Sequence, residues 1–272
     1  MSWETVVAAA QHATVPRVPL VLADGMPVGR VARAHLPALA AWPEVLGVGA
    51  AAVVLHAPQR LARMEPALRA AGLIVGWRDE PFTLWAGDGR ALAVIERAAA
   101  RLWGSRTWGA HLNGYVADAD GRPTHLWVAR RAESKPTDPG KLDNLVGGGV
   151  AHGQTPAGAL IREAGEEAGL TPHDCASLTR GNVLALACDV PEGFQNEWLY
   201  TYDLCLPPTW RAHNPDGEVA EQRLLPVAEA LALAEGGAMT RDAALVTLDF
   251  ALRHKLHPTL AGSTRPALAD LG

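Results

Sequence analysis

Three glutamates within residues 156–168 have a spacing that could hold a divalent cation. Glu163, Glu166 and Glu167 stand at i, i+3 and i+4, so a helix turning about 100° per residue projects them from one face. Like charges at this spacing repel by about 0.2–0.5 kcal/mol per exposed pair, and a hard cation such as Mg²⁺ or Mn²⁺ removes the repulsion. Such a cation polarises a phosphoryl oxygen and acidifies a water molecule. The spacing therefore indicates a site for metal-assisted hydrolysis, although a glutamate-rich helix face is more often simply solvated.

The residues around these glutamates carry the signals of a helix with defined ends. Thr155 suits the N-cap and Pro156 the first helical position, while Gly169 suits the end of the helix. Arg162 precedes Glu166 by four residues, so its guanidinium can pair with that carboxylate and hold its rotamer. We therefore predict a helix from Pro156 to about residue 168 that presents the three carboxylates.

A run of three glycines at residues 147–149 precedes this helix. No Gly-Lys-Ser/Thr follows the run, so a Walker-type phosphate loop is not indicated. Glycines instead allow the backbone to approach a metal or a phosphate closely. The chain also contains no G-x-S-x-G and no H-E-x-x-H, so serine hydrolase and zinc protease chemistry find no support.

The stretch from residue 148 to 170 resembles the signature of the Nudix (MutT-like) family. In that signature a glycine is followed by five residues and an acid, then by seven residues and the run R-E-hydrophobic-x-E-E-x-G-hydrophobic. The matching residues here are Gly148, Arg162, Glu163, Ala164, Glu166, Glu167, Gly169 and Leu170. One position departs, because Gln154 stands where the acid is expected. This departure bears on the number and affinity of metal ions and leaves the three helix carboxylates in place.

The resemblance implies a fold, a metal site and a reaction. The fold is of the α/β (α+β) class, an αβα sandwich with a mixed sheet, and the reaction is cleavage of a diphosphate bond. The implied ligands of Mg²⁺ or Mn²⁺ are the carboxylates of Glu163, Glu166 and Glu167 and the backbone carbonyl of Gly148. Arg162 joins the glutamates as a catalytic residue that orients them. Many members add an acid from a distant loop, for which Glu218 is the first candidate and Glu221 the second; both could equally be solvated acids.

A closer likeness extends over four further segments. Residues 72–82, 108–116, 141–154 and 198–207 look like a two-part Nudix subfamily with its own N-terminal domain. This subfamily is similar to the Nudix part that is fused to thiamine pyrophosphokinase in some fungi, and it is associated with removing phosphate from oxidised thiamine diphosphate. The resemblance therefore implies thiamine diphosphate, or an oxidised form of it, as the substrate.

Several other residues are candidates for contacting such a substrate. Near the glycine run, phosphate groups could be bound by Arg130, Arg131 and Lys141, which could equally be ordinary surface charges. At the junction of the two parts of the chain stand Arg106, Trp108 and Asn113. The indole could stack on a ring or be simply buried. Asn113 or Arg106 could donate a hydrogen bond to an exocyclic oxygen of an oxidised ring.

The elements that must position these residues divide into two units. We predict an N-terminal accessory domain at residues 1–106, smaller and of α/β type, and a Nudix domain at 107–272. In the first, hydrophobic patterning predicts strands at 18–23, 28–31, 73–77 and 82–85 and helices at 61–71 and 91–103. In the second, it predicts strands at 114–117, 126–130, 182–189, 198–206 and 219–225 and helices at 156–168, 227–234 and 241–254. For the first unit, the roles of substrate lid and homodimer surface both stay open.

Composition excludes several other classes of protein. With 24 basic and 29 acidic residues the formal net charge is −5, which disfavours nucleic acid as a partner. The three cysteines form no C-x-x-C pair, as expected of free thiols in a reducing compartment. The N-terminal residues lack a basic leader, and the longest apolar run, at 45–55, is too short to span a bilayer. We expect a cytoplasmic protein with no membrane partner.

Three functions compete on these observations. The first is hydrolysis of a small organic diphosphate, either thiamine diphosphate or a nucleoside diphosphate derivative of the ADP-ribose type. The second is an isomerase resembling isopentenyl diphosphate isomerase, which is disfavoured because all three cysteines follow Leu170 whereas that chemistry uses one upstream of the signature. The third is a non-catalytic sensor of diphosphate ligands, in which Gln154 marks a decayed site. The intact carboxylate helix argues against such decay.

Overall fold

Short strands and helices make up the first hundred residues of the protein. The computed structural model describes residues 2–135, 137–213, 217–257 and 264–270. In chain order this part contains helix α1 (Trp3–Ala9), strands β1 (Arg17–Leu22) and β2 (Pro27–Ala32), helix α2 (Leu36–Leu39), strands β3 (Leu46–Val48) and β4 (Val53–Leu55), helix α3 (Leu61–Ala70), strands β5 (Pro81–Trp85) and β6 (Ala91–Glu96), and helix α4 (Ala99–Trp103). One sheet has the order β2-β1-β4-β3, and β5 and β6 form a separate antiparallel hairpin.

A hydrophobic core lies between these elements. Val18 and Leu20 of β1 are buried two residues apart, which is the period of a strand with one covered face. They pack in one cluster with Leu61 of α3 and Trp103 of α4. Helix α1 is an exception, because its buried Trp3 packs in the core of the C-terminal part of the chain. The division at residues 106 and 107 stays a prediction, and α1 crosses it.

Two predicted elements of this part are wrong. The helix expected over 91–103 is instead strand β6 followed by the short α4, because a turn with Gly89 at φ 85° folds the chain back and pairs β6 with β5. The strand expected over 73–77 is absent from the described residues. There the amide groups of Leu73 and Ile74 donate to the carbonyl of Leu68, which ends helix α3 after Gly72 adopts a left-handed conformation. The β1–β2 hairpin and helix α3 are confirmed.

A mixed sheet organises the rest of the chain. Its elements are strands β7 (Arg106–Ala117), β8 (Pro123–Arg131), β9 (Leu142–Asn144) and β10 (Val146–Gly149), helix α5 (Pro156–Ala168), strands β11 (Thr179–Val190), β12 (Gly193–Cys205) and β13 (Val219–Pro226), and helices α6 (Val227–Glu235) and α7 (Arg241–Arg253). The main strand order is β11-β12-β7-β8-β13, with β10 paired to β7 and β9 to β8. Strands β7 and β12 are parallel and their other neighbours antiparallel. The strands and helices predicted for this part are confirmed within a few residues, except that β7 starts earlier.

Helices cover both faces of this sheet. Helix α5 packs on one face, where Ala110 and Leu112 of β7 join Leu160 of the helix in a buried cluster. Helices α1, α6 and α7 pack on the other face, in a cluster that includes Leu199 of β12 and Phe250 of α7. This arrangement confirms the predicted α/β (α+β) class, an αβα sandwich around a mixed sheet, with a smaller α/β part before it.

The ends of helix α5 are fixed by local interactions. The hydroxyl of Thr155 accepts the amide of Gly158 at 3.1 Å, and Gly169 ends the helix with φ 69°. The predicted helix from Pro156 to residue 168 is therefore confirmed at both ends. The rotation of the helix is consequently fixed, and with it the direction in which its three glutamates project.

Two expectations drawn from composition can be compared with the structure. Cys175 and Cys188 are buried, Cys205 is exposed, and all three are free thiols, as expected. Within the described ranges, none of the helices has the length and apolar character needed to cross a membrane.

Glu65 should make the stability of the protein depend on pH. It is 4% exposed, and burial, reinforced by the charge of Glu96, raises its pKa to about 7 although its oxygens accept the Glu96 amide. Because the folded pKa exceeds the unfolded value, stability is full below the unfolded pKa of about 4.5 and falls as pH rises through about 7. Glu65→Gln should therefore gain on the order of 1–3 kcal/mol over wild type at pH 8, and little at pH 4.

Urea unfolding at pH 4, 6 and 8 measures this difference. Glu44→Gln, at an exposed position, is the matched control and should show no such trend. A Glu65→Gln difference that stays constant over this range would contradict the assignment.

Candidate functional site

The carboxylate of Glu163 packs directly on the glycine strand β10. Gly148 pairs with Ala110 of β7, on the side of the sheet that α5 covers. A Cβ atom at Gly148 would lie 2.8 Å from both the carboxyl carbon and Oε1 of Glu163. A side chain at this position would therefore collide with the glutamate. Because Gly148 has no side chain, the carboxylate of Glu163 can reach the backbone of the strand.

Glu167, one turn further along α5, is the most buried of the three helix carboxylates. It is 7% exposed, and its Oε2 accepts the amide of Gly147 at 3.1 Å. Burial raises its pKa to about 8, and the charges of Glu163 and Asp143 add to this effect. The bond from Gly147 and the charge of Lys135 act in the opposite direction and are outweighed. The positive charge near Glu167 therefore does not offset the cost of ionising this buried carboxyl.

Arg162 links the two outer carboxylates of the helix. Its Nη1 donates to Oε2 of Glu166 at 2.5 Å, and its Nη2 donates to Oε1 of Glu163 at 2.6 Å. The first contact is the i, i+4 pair expected from the sequence, and the second was not expected. Burial raises the pKa of Glu163, and Arg162 opposes that shift. The guanidinium thus holds two of the three carboxylates on the side of the helix that faces the strand.

The donor set of the site suits a hard divalent cation. Across the described residues, no three Asp, Glu, His or Cys side chains are already arranged as a metal site. The available ligands are nevertheless all oxygens, the backbone of Gly148 is open to close approach, and the negative charge around Glu167 lacks compensation. Gln154 is half-buried, and its Oε1 has no hydrogen-bond partner in the described part of the chain. These residues fit Mg²⁺ or Mn²⁺.

Glu218 lines the same small cavity as Glu167. The cavity lies beside the glycine strand and is lined by Ala129, Arg131, Lys135, Asp143, Asn144, Gly147, Glu167, Glu218 and Val219. Glu218 is ion-paired with Lys135. Glu221, the second candidate for a distant acid, pairs with Arg130 at 3.5 Å on the surface. The structure therefore brings Glu218, and not Glu221, to the side of the carboxylate helix.

The cations proposed for binding phosphate lie in different places. Arg130 donates to the carbonyl of Gly140 at 3.0 Å, and Lys141 pairs with Asp138 at 3.0 Å. Neither lines the cavity beside Glu167, where Arg131 is found instead. Successive residues of a strand point to opposite faces, so only one of the two adjacent arginines can turn toward the glycine strand.

An aromatic wall stands on the face of the sheet that carries Gly148. Trp108 stacks on Trp85 at 4.6 Å between ring centroids and meets Tyr200 edge-on at 6.0 Å. Arg106 lies over the ring of Trp198 at 4.3 Å and donates to the carbonyls of residues 86 and 87. These five side chains are partly exposed. We refer to Trp85, Trp108, Trp198 and Tyr200 as the aromatic wall.

Asn113, also proposed to contact a substrate, does not reach this wall. It is 2% exposed, its amide nitrogen donates to Asp203 at 3.1 Å, and its oxygen accepts from Asn144 at 3.3 Å. Asp203 in turn binds Arg253 of α7. The side chain therefore ties the sheet to the helices on the opposite face and is not available to a ligand on the side of α5.

Residues of the N-terminal part complete the surroundings of the glycine strand. A Cβ atom at Gly149 would lie 2.7 Å from Cζ of Phe82 and 3.2 Å from Cζ of Arg97. Arg97 is ion-paired with Glu80 at 2.7 Å. These three residues could not be predicted as site residues, because no motif spacing links them to a strand 50 or more residues away. The resemblance over residues 72–82 was the one signal that this part of the chain matters to the site.

Comparisons with known proteins agree with this geometry. The model of the NUDIX domain family matches residues 110–245, which is half of the 272-residue chain. Nudix hydrolase 20, chloroplastic, of Arabidopsis thaliana is 37% identical over 186 residues, covering 67% of this chain and 49% of the relative. Nudix hydrolase 24, chloroplastic, of the same plant is 36% identical over 187 residues, covering 68% and 51%. The chain thus spans about half the length of these curated relatives.

The chain also has limited similarity to a solved structure. DR0079 from Deinococcus radiodurans is 24% identical, with a TM-score of 0.48, and covers 63% of this chain and 99% of that one. The matched family range contains the glycine strand, the carboxylate helix and Glu218. On this match over half of its length, the chain belongs to the Nudix family.

Proposed function

We propose that the protein is a hydrolase that uses Mg²⁺ or Mn²⁺ to cleave the diphosphate bond of a small organic diphosphate. The observation that supports this most is the packing of helix α5 on strand β10, with Glu163 against Gly148 and Glu167 bonded to the amide of Gly147. This contact joins carboxylate ligands to an open backbone, which is what a hard cation and a phosphate both need. A sensor that had lost its metal would have no need of one carboxylate packed on bare backbone and a second one buried beside it.

The roles of the individual groups follow from their contacts. The cation would be held by the carboxylates of Glu163, Glu166 and Glu167 and the carbonyl of Gly148, with Glu218 as the additional acid. A cation at this place polarises a phosphoryl oxygen and acidifies the attacking water. Glu167, which is held by the amide of Gly147, accepts the proton of that water. Arg162 positions Glu163 and Glu166 and does not touch the substrate.

The organic part of the substrate stacks on the aromatic wall. Flat aromatic rings bind to indole faces, and a cationic ring does so more strongly. We propose thiamine diphosphate or an oxidised derivative, since its rings are flat and aromatic and four segments of the chain resemble a subfamily associated with that substrate. Arg106 is the donor available to an exocyclic oxygen of an oxidised ring, because Asn113 is engaged elsewhere. An adenine ring also stacks on tryptophan, so ADP-ribose is the competing substrate.

Glu167→Gln should lower kcat by about a hundredfold or more at saturating Mg²⁺, because it removes both the proton acceptor and a ligand charge. The variant should be no less stable than wild type, since a buried charge is deleted. Phosphate release with Mg²⁺, Mn²⁺ and EDTA measures the effect, and the exposed Glu44→Gln is the control. Wild-type turnover in the Glu167→Gln variant would contradict the proposed role of the helix carboxylates.

Gly148→Ala should weaken the response to Mg²⁺ by displacing Glu163, whose carboxyl carbon is 2.8 Å from the new methyl group. Gly165→Ala, in the helix that carries Glu163, is the matched control, because the atom nearest to its new Cβ would be 3.6 Å away. That control should keep full activity and gain about 0.5–1 kcal/mol of stability from helix propensity. The measurement is the Mg²⁺ concentration for half-maximal activity, and equal values for both variants would argue against the Glu163 contact.

Oxidised thiamine diphosphate or thiamine diphosphate should have a higher kcat/KM than ADP-ribose or a dinucleoside polyphosphate. Trp108→Leu should reduce this preference, because it removes the ring that stacks on Trp85. If ADP-ribose or the dinucleotide leads by about tenfold, equivalent to about 1.4 kcal/mol in transition-state binding, the thiamine assignment fails while the diphosphate hydrolase assignment stands.

A further inference from the structure

Arg78, in the loop before β5, carries a charge that no neighbouring carboxylate neutralises directly. It forms no ion pair with any residue in the described ranges, and its Nη2 donates only to the hydroxyl of Thr137, at 3.3 Å. Burial lowers the pKa of Arg78, and the charges of Arg97, Arg131 and Arg101 lower it further. Among the charges that act on it, only Glu80 is opposite in sign. Arg78 is therefore a partly buried charge whose one side-chain bond in the described ranges is to a neutral hydroxyl.

Arg97 extends this positive charge to the end of the glycine strand. Its Cζ lies 3.2 Å from where a Cβ of Gly149 would be, and its plane stacks over Phe82 at 5.3 Å. One of its terminal nitrogens binds Glu80 at 2.7 Å, yet the side chain stays 34% exposed. Burial acts to lower the pKa of Arg97, but Glu80, and then the charges of Glu197 and Glu163, raise it. Arg97 is therefore close to the carboxylate helix and still accessible to a ligand.

Arg131 borders the same strand from the Nudix domain. Its Nη1 donates to Asp143 at 3.0 Å, and its Nε and Nη2 donate to the carbonyl of Thr137 at 3.2 and 2.9 Å. Thr137 thus joins Arg131 to Arg78, whose guanidinium binds the hydroxyl of the same residue. Because Arg131 lines the cavity with Glu167, the arginines and the carboxylate helix border one region.

The position of Arg78 and Glu80 is fixed by a buried acid. The carboxylate of Glu96 accepts the backbone amides of Arg78 at 2.9 Å, Glu80 at 3.1 Å and Ala98 at 3.3 Å. These bonds hold the loop before β5 against the end of β6, where Arg97 follows. The two arginines are consequently presented by a rigid support, as a binding site requires.

We infer that Arg78 and Arg97 of the N-terminal part, together with Arg131, bind the terminal phosphate of the diphosphate substrate. This inference rests on the proposed function and adds to it that the N-terminal part completes the active site. A guanidinium donates two parallel hydrogen bonds to phosphate oxygens. A terminal phosphate carries up to about two negative charges, against one for an internal phosphate, so it matches a cluster of arginines better. The substrate class is therefore an organic compound that ends in a free diphosphate.

Binding of methylenediphosphonate, a diphosphate analogue that cannot be hydrolysed, tests this inference on the full chain. Calorimetric titrations would be run with Mg²⁺ and repeated with EDTA. Arg78→Gln should weaken binding by about tenfold or more, as expected for the loss of charged hydrogen bonds, and Arg78→Lys should recover part of it. Arg63→Gln, at an exposed position of α3 in the same part of the chain, should bind like wild type.

Arg78→Gln is the informative variant because it breaks one hydrogen bond and no ion pair. Arg97→Gln leaves Glu80 without its partner, so it is compared with the double variant Arg97→Gln/Glu80→Gln. Equal binding by wild type and Arg78→Gln, or no binding by wild type with and without Mg²⁺, overturns the inference.

A second measurement separates this inference from the proposed function. In steady-state assays, Arg78→Gln should raise KM for substrates that end in a diphosphate more than for ADP-ribose, whose diphosphate is internal. An equal rise for both overturns the assignment to the terminal phosphate. Wild-type protein that binds the analogue but hydrolyses no diphosphate overturns the proposed function and leaves the arginine site standing as an anion site.

Discussion

The site depends on one contact, the packing of helix α5 on the bare backbone of strand β10. The strand lacks side chains at residues 147–149, so the Glu163 carboxylate comes within 2.8 Å of the place a methyl group would occupy. Glu167 uses the same strand differently, by accepting its amide hydrogen. The pairing of Gly148 with Ala110 fixes the strand in the sheet, and the capped ends of α5 fix the rotation of the helix. The carboxylates are thus positioned by two rigid elements and by no flexible loop.

The N-terminal part contributes to the site through the β5–β6 hairpin. Trp85 of this hairpin stacks on Trp108, while Phe82 and Arg97 meet Gly149. One segment therefore supplies a ring to the aromatic wall and a cation to the glycine strand. The buried glutamates Glu65 and Glu96 hold the segment, since Glu65 accepts the amide of Glu96 and Glu96 accepts those of the preceding loop. The raised pKa of Glu65 lowers the stability of the protein at neutral pH. The same support holds Arg78 and Arg97 in position.

Local chemistry explains which features the sequence could predict. Helix α5 was predictable because its cap, its first proline, its terminal glycine and its glutamate spacing all lie within 15 residues. Strand β6 at 91–96 was not predictable, because the alanine-rich run that begins there suits a helix. It becomes a strand only through pairing with β5. Arg130 and Arg131 show the same limit of prediction for two adjacent residues. Strand alternation sends one of them to the cavity and the other to Glu221, and only the register of the sheet decides which.

Charge is distributed unevenly along the glycine strand, and this asymmetry orients whatever binds there. Carboxylates gather on the side of α5, where burial and mutual repulsion raise the pKa of Glu163 and Glu167. Guanidinium groups gather around the other side, where burial, reinforced by the charges of the other arginines, lowers the pKa of Arg78. Burial disfavours the charged forms of Glu163, Glu167 and Arg78. A cation beside the two carboxylates, or an anion beside Arg78, would favour those forms. The proposed ligand, a magnesium diphosphate, carries both charges, so one end of it would suit the carboxylates and the other the arginines.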